Sequence, residues 1–451
     1  MSAVEVVPGQ FTVSQNDWDL LPRPSRPPTV SVIVPFYEQQ DDLERLLVGI
    51  ELQRGFVDVR EVIVVDDGSA DGPVVPDWYR GPHVIVLRQA DNGFRAGAAR
   101  NLGASRATSN VLLFLDADMV PSPDYVARMA EIPAVAPEAM VVGSRQHWDL
   151  EGWTAPQVRS WLEGGRRPAR LKDPAWLAEG YARTRHLLDL SERSYQWMIS
   201  AVLAMSHRFF EELGGFDETI CSYGGEDWDL AYRAQNAGAL MVHCSAVAHH
   251  NGPDWSEREG PEATKNVERR NLAARIPGRR DAIIGRYALT VVRIDASDMD
   301  PDAVTLGVAS ALSAEPTNIA FLVEGLAIDA SALLAHDSRV HLGSLRPGMA
   351  DRAMVSIQVL SPVRFGPTTF ERLLDLLAPG GPGRLIVMND DEELLTCVTT
   401  RASRRVARWA PTRDPDFLWA QIFGEPKRCA AASIDVTPVV GPADLSETFR
   451  R

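Results

Sequence analysis

Cysteine is scarce in this sequence. Cys221, Cys244, Cys397 and Cys429 are the only four in 451 residues, and their scattered spacing fits neither a zinc pattern nor a disulfide framework. The reading is free thiols in a reducing compartment. Apolar runs long enough to span a bilayer are absent, as is an N-terminal basic stretch followed by an apolar one. The expectation is a cytoplasmic protein with no integral membrane segment. Positive charge is also short: 46 basic residues stand against 61 acidic ones, a net −15. That argues against nucleic acid or an anionic membrane surface as partner. It leaves room for a small anionic ligand, because a bound cation inverts a local field. Internal repeats and low-complexity tracts are missing too, and 451 residues imply two or three domains.

What the sequence does contain is apolar runs that end in acids. Val111–Leu115 is five apolar residues closed by Asp116-Ala117-Asp118, the pattern of a buried strand with two carboxylates at its C-terminal end. That edge of an open α/β sheet is where ligands bind. Two such carboxylates can share one divalent cation, which can in turn hold a diphosphate. A solvated turn after a strand is the plainer reading of an isolated Asp-x-Asp. Upstream, Val30–Tyr37 reads as a strand stopped by Pro35, and 41–53 as a helix with Leu43, Leu46, Leu47 and Ile50 on one face. Glu61–Val65 reads as a second strand, ending in Asp66-Asp67-Gly68-Ser69. Strand, helix, strand implies a parallel crossover, with both loops on one edge. An aspartate there can accept from a base N–H while Tyr37 packs on a ring. The alternative is that Asp66 or Asp67 caps its own turn.

His83–Leu87 is a third strand. The stretch Asn92–Gly103 then allows close packing at a helix start, where anions are favoured, and carries Arg95 and Arg100 for a phosphate. Its spacing is not that of a dinucleotide loop. A helix over 124–132 and a strand at Val141–Ser144 follow. Five tryptophans (148, 153, 161, 176 and 197) crowd into 145–197 among Arg166, Arg167, Arg170 and Lys172. Aromatic faces stack on sugar rings, although a satellite core explains any one Trp as well. Met198–Met205 reads as a strand and Phe209–Leu213 as a short helix. Glu226-Asp227 opens a helix to Asn236, with acids complementing the helix dipole. Ala239–His243 is one more strand, followed by Ala248-His249-His250-Asn251.

Val30–Tyr37, Val64–Asp71, Asn92–Gly103 and Phe114–Asp118 come in the order that resembles inverting glycosyltransferases of family 2, which have the GT-A fold. The resemblance continues in Gly214–Glu218 and Tyr223–Leu230 and covers roughly residues 28–255. It implies a Rossmann-like α/β domain at 29–255, a mostly parallel sheet flanked by helices, after an extension at 1–28. Residues 145–197 would be an acceptor-side insertion. The resemblance further implies a nucleotide-sugar donor, a UDP-sugar first, and Mn²⁺ or Mg²⁺ at the Asp-x-Asp motif. Asp118 and Asp116 would hold the metal with a histidine, His249 in preference to His250. Asp227 would be the general base toward an acceptor hydroxyl, and Glu226 would orient a sugar. Pro35, Tyr37, Glu38, Asp66, Asp67, Asn92, Arg95, Arg100, Asp116 and Ala117 would contact the donor. Trp148, Trp153, Trp197, Tyr223 and Gly225 would contact the acceptor, a saccharide, peptide or small natural product. Two other readings stand beside this one. A retaining hexosaminyltransferase on the same fold is suggested by Tyr223–Asp229 and Cys244–His249, and a silent nucleotide-sugar-binding module is the non-enzymatic alternative.

Residues 256–287 read as a polar helical linker, and 288–451 as a second, smaller α/β domain of unassigned role. Its strands are expected at Ala288–Ile294, Asn318–Val323, Arg339–Leu342, Met354–Leu360 and Arg384–Met388. Helices are expected near 301–312, 328–335 and 370–377, and from Glu392 to about Ala407. The stretch 370–388 is similar to the late part of methyltransferase folds. The early glycine loop that would hold their cofactor is absent, so methyl transfer is not expected.

Overall fold

The extension at 1–28, which shows no period in sequence, folds. In this computed structural model, which describes residues 2–221, 224–253, 262–279, 286–314, 318–446 and 448, Val4–Val7 (β1) and Gln10–Thr12 (β2) pair as an antiparallel hairpin. Strands of three and four residues are too short to show alternation. Beyond them the buried Asn16 acts as a staple. Its Nδ2 donates to the carbonyls of Leu187 (2.7 Å) and Met241 (2.8 Å), and its Oδ1 accepts from the Met241 amide (3.1 Å).

Contacts divide the chain into two units, one of Met1–Gln235 with Ala239–Asn271, the other of Asn236–Gly238 with Leu272–Arg451. In the first, Thr29–Phe36 (β3), Gln40–Glu51 (α1), Asp58–Asp66 (β4), His83–Arg88 (β5), Ala96–Ala104 (α2) and Val111–Leu115 (β6) follow in order. The four strands are parallel and lie β5-β4-β3-β6. The chain therefore winds outward from β3 to β5 and returns on the other side of β3. That makes the β3–β6 junction a topological switch point, the place where such sheets bind ligands.

Next come Met119–Pro121 (β7), Tyr125–Val135 (α3), Ala139–Asp149 (β8), Ala155–Leu162 (α4), Ala169–Arg170 (β9) and Ala175–Arg183 (α5). Val202–Ser206 (β10), His207–Glu212 (α6), Glu226–Asn236 (α7), Leu240–Asn251 (β11) and Glu262–Ala273 (α8) complete the unit. The sheet reaches nine strands, with β10 antiparallel to both β6 and β8 and β11 parallel to β8. The expected α/β architecture is thus observed. Two differences matter for the site. The stretches 239–243 and 248–251 are one strand, irregular between His243 and Val247. And β8 runs on to Asp149, so Trp148 sits in the sheet opposite Asn251 rather than in an insertion.

The second unit contains Thr290–Asp295 (β12), Pro301–Leu312 (α9), Ile319–Glu324 (β13), Ile328–Leu334 (α10), Val340–Leu342 (β14), Met349–Arg352 (α11), Val355–Val359 (β15) and Val363–Phe365 (β16). Thr369–Leu376 (α12), Arg384–Asn389 (β17), Glu392–Thr399 (β18), Thr400–Trp409 (α13), Pro415–Phe423 (α14), Lys427–Ala430 (β19) and Val436–Pro438 (β20) follow. Seven of these strands form one sheet, β14-β13-β12-β15-β18-β17-β19. The helix expected from Glu392 is a correction: 392–399 is a strand, antiparallel to β15 and β17 on its two sides. Thr396, Val398 and Thr399 are β-branched and suit a pleated surface. The helix starts only after Thr399, whose hydroxyl accepts from the Ala402 amide as an N-cap.

Close helix-on-sheet packing holds α2 in place. A Cβ on Gly103 would lie 2.5 Å from Ile33 Cγ2 and 3.2 Å from Val65 Cγ2, so only glycine fits there. Gly103→Ala should lower the denaturation midpoint of the first unit by a stability equivalent of about 1–3 kcal/mol, the usual cost of overpacking. Urea titration followed by tryptophan fluorescence measures it, and an unchanged midpoint contradicts the packing.

Candidate active site

A cavity of about 600 Å³ opens at the C-terminal ends of β3 and β6. All five residues of β6 are buried, between β3 on one side and β10 on the other. The chain therefore emerges from the sheet only at Asp116. Pro35, Tyr37, Asp67, Arg100, Asp116, Ala117 and Asp118 line the cavity, and Glu226 and Asp227 join them from the start of α7.

A buried arginine ties these segments together. Arg100 is 3% exposed. Its two terminal nitrogens lie 2.7 Å from Asp116 Oδ1 and 3.2 Å from Glu226 Oε1. Burial opposes the guanidinium charge, and the Asp116 and Glu226 carboxylates outweigh it, so its pKa is raised. Arg100 is therefore engaged with acids rather than extended toward a phosphate.

The chain enters α7 through Gly224 (φ +86°) and Gly225 (φ +97°), left-handed conformations that favour glycine. The turn delivers Glu226 and Asp227 into the first helical turn. Asp227 Oδ1 accepts from the Trp228 amide at 2.8 Å. Burial first, then the charge of Glu226, pushes the Asp227 carboxyl up to about 7. The Trp228 amide and Arg100 pull the other way, and Glu268 on α8 adds to the rise. A carboxylate titrating near neutrality is suited to take and hold a proton at working pH. Glu226 Oε2 is buried and accepts no hydrogen bond among the described residues.

The two histidines separate because successive residues of a strand face opposite ways. His250 faces the cavity, with Nε2 3.2 Å from Asp118 Oδ2. His249 faces the other side, against Trp161 (4.7 Å between centroids) and Trp148 (5.8 Å). Burial, then the Arg170 charge, brings His249 down to about 4. The expectation that His249 stands beside Asp118 is thus corrected to His250. The carbonyl of Gly252 receives Nδ1 of both His250 (3.0 Å) and His147 (2.8 Å). A carbonyl only accepts, so both Nδ1 atoms carry protons. His250 Nε2 then faces a carboxylate oxygen, and a proton or a cation between them makes that arrangement favourable. Among the described residues no group of three or more His, Cys, Asp or Glu side chains is placed to hold a metal.

Several expected contacts lie elsewhere. Asp66 caps its turn, accepting from the Ser69 amide (2.8 Å) and pairing with Arg88 (3.3 Å). Asp67 lines the cavity, but its oxygens already hold Gln89 Nε2 and the Arg95 amide. Glu38, Asn92, Arg95 and Gly225 are outside the cavity lining; the Arg95 side chain pairs with Glu218 (3.5 Å). The tryptophans are packing elements. Trp148 and Trp153 surround Trp161 in a satellite core with Val48, Val120, Leu150 and Val158. Trp197 packs on Trp176, at 5.9 Å. None of them lines the cavity. Tyr223 lies outside the described residues. Phe94, Arg145 and Ser200, which no sequence motif marks as site residues, also line the cavity. Their only signal would have been adjacency to strand ends, and β8 was read as stopping at 144.

The raised Asp227 carboxyl has a consequence for stability. Between the ordinary carboxylate range and about 7 the folded chain keeps a proton that the unfolded chain gives up, so this group's contribution worsens as pH rises through that window. Asp227→Asn should therefore melt above the wild type at pH 8, and the gain should vanish as pH falls toward 4. Calorimetry at both pH values measures it; an equal gain at both contradicts the assigned shift.

The site can be set beside known proteins. Residues 31–190 match the model for glycosyl transferase family 2, and residues 190–250 that for the N-terminal domain of galactosyltransferase. Chondroitin synthase of Escherichia coli is 27% identical over 265 residues, 55% of this chain and 38% of that protein. Validoxylamine A glucosyltransferase of Streptomyces hygroscopicus subsp. jinggangensis is 31% identical over 228 residues, 48% of this chain and 54% of that one. The chain thus spans about half or less of the curated relatives it matches. A solved structure of GalNAc-T7 with UDP, GalNAc and Mn²⁺ superposes with a TM-score of 0.39 at 17% identity, over 55% of this chain and 48% of that one. Residues 31–190, about a third of this chain, are thus similar to glycosyl transferase family 2.

Proposed function

We propose that the chain is a metal-dependent, inverting glycosyltransferase that moves a sugar from a nucleotide-sugar, most simply a UDP-sugar, to a hydroxyl acceptor. The observation that carries the reading is the pairing, in one cavity, of a carboxyl titrating near 7 with the Asp118–His250 pair. Asp118 and His250 would hold Mn²⁺ or Mg²⁺, while Asp116 is held by Arg100. A carboxylate facing an imidazole nitrogen at 3.2 Å fits a divalent cation. The remaining ligands would come from diphosphate oxygens and water. When bound, the ion supplies charge neutralisation for the leaving diphosphate.

The rest is the work of side chains. Tyr37 packs on the base, and Asp67 accepts from a base N–H. Asp227 takes the proton from the acceptor hydroxyl as that oxygen attacks the anomeric carbon from the face opposite the diphosphate, which inverts the configuration. Glu226, held by Arg100, orients the sugar. The relatives named above include a polysaccharide synthase and a transferase to a small natural product, so either class of hydroxyl acceptor is compatible. The domain at 29–255 would carry this chemistry.

Asp227→Asn should keep donor affinity within a few-fold and lose about 10²–10⁴-fold in transfer, the usual worth of a positioned general base. Transfer is assayed with a panel of nucleotide-sugars, saccharide and small-molecule acceptors, and NMR of the product anomer. Full activity in the variant, or a retained configuration, overturns the mechanism.

A further inference from the structure

We propose that the second unit carries a phosphoryl-binding site, separate from the glycosyl-transfer cavity and independent of that assignment. A cavity of about 450 Å³ lies beside the starts of β12 and β13, within the size range of ligand pockets. Its wall holds Arg286, Arg339, Arg346, His336 and His341, with Asp337 as the one acid. That acid is already taken. The Arg339 fork donates to both Asp337 oxygens, at 3.0 and 2.8 Å, and these bonds hold the Asp337 carboxyl below its ordinary value.

Arg286 and Arg346 are exposed at the cavity, and neither has an acidic partner among the described residues. Two exposed guanidinium groups that line one cavity can hold a phosphoryl group through paired N–H bonds. His341 Nε2 is buried and makes no hydrogen bond among the described residues. Burial and the Arg346 charge lower the pKa of that ring and favour its neutral form, so it can serve as an N–H donor to an arriving oxyanion. Tyr287 completes the wall. The Arg286 and Arg352 guanidinium groups lie over its ring, at 5.5 and 4.7 Å.

Charge distribution is less unfavourable to an anion in the second unit than in the first. Residues 1–271 carry 26 basic against 39 acidic side chains, and residues 272–451 carry 20 against 22. The cavity is a basic enclave in a chain of net negative charge. The occupant is a phosphoryl group on a small organic body, and its source is either a nucleotide or a phosphorylated sugar.

The test uses the full chain with chelator present, which suppresses metal-assisted binding elsewhere. Equilibrium dialysis with labelled pyrophosphate should give one saturable site. Arg286→Gln/Arg346→Gln, two exposed substitutions that leave the fold intact by circular dichroism, should weaken it at least tenfold. Asp118→Ala should leave it unchanged. Competition then separates the sources: displacement by UDP below the concentration needed for glucose 1-phosphate assigns a nucleotide, and the reverse assigns a sugar phosphate. Absence of saturable binding, equal affinity in the double variant, or loss in Asp118→Ala overturns the proposal.

Discussion

Arg100 is the constraint on which the site depends. It is a buried cation between Asp116, at the end of β6, and Glu226, at the start of α7. These residues are 110 positions apart in sequence, and nothing local brings them together. The pair belongs on opposite walls of one cavity only because α2, rich in glycine and alanine, packs closely on β3 and carries the guanidinium inward. A buried charge is tolerable only with its partners, and removing one partner of such a set typically costs about 3–5 kcal/mol. The bridge therefore fixes the distance between the carboxylates of the Asp-x-Asp motif and the carboxylates of α7. It also leaves Asp227 as the member of the Glu226-Asp227 pair without a direct cation contact. That difference lets burial and the charge of Glu226 lift the Asp227 carboxyl to about 7.

The second organising feature is the switch point between β3 and β6. Parallel strands on both sides of it bring Tyr37, Asp67 and Asp116–Asp118 to one edge without any long-range signal in the sequence. The Gly252 carbonyl performs a comparable service on the far wall. By accepting from two imidazoles it fixes which nitrogen of His250 meets Asp118. Site geometry here is set by backbone groups as much as by side chains.

Much of this was legible in the residues. Val111–Asp118 announced its strand and its acids, and the order of the apolar runs announced the parallel sheet. Where the reading failed, the cause was a missing neighbour. His249 and His250 are equivalent in sequence, and only the pleat of β11 and the Trp148–Trp161 wall decide between them. The tryptophans were read as ligand contacts because composition reports stacking surface, not what is stacked on it. Three of them cover one another in a satellite core. Asp66 and Asp67 look alike in sequence, but Asp66 turns back to cap its own loop while Asp67 lines the cavity. Residues 392–399 read as the first part of a helix, and the strands on both sides make them a strand. Arg346 and His341 held no sequence signal, because their cavity is assembled from three separate segments.

The central claim is that the Asp118–His250 pair holds a cation that in turn holds a nucleoside diphosphate. Isothermal titration of UDP into the full chain, once with Mn²⁺ and once with chelator, tests it most directly. The account predicts saturable binding with the metal and a loss of at least tenfold in affinity without it. Equal affinity in both conditions would contradict it.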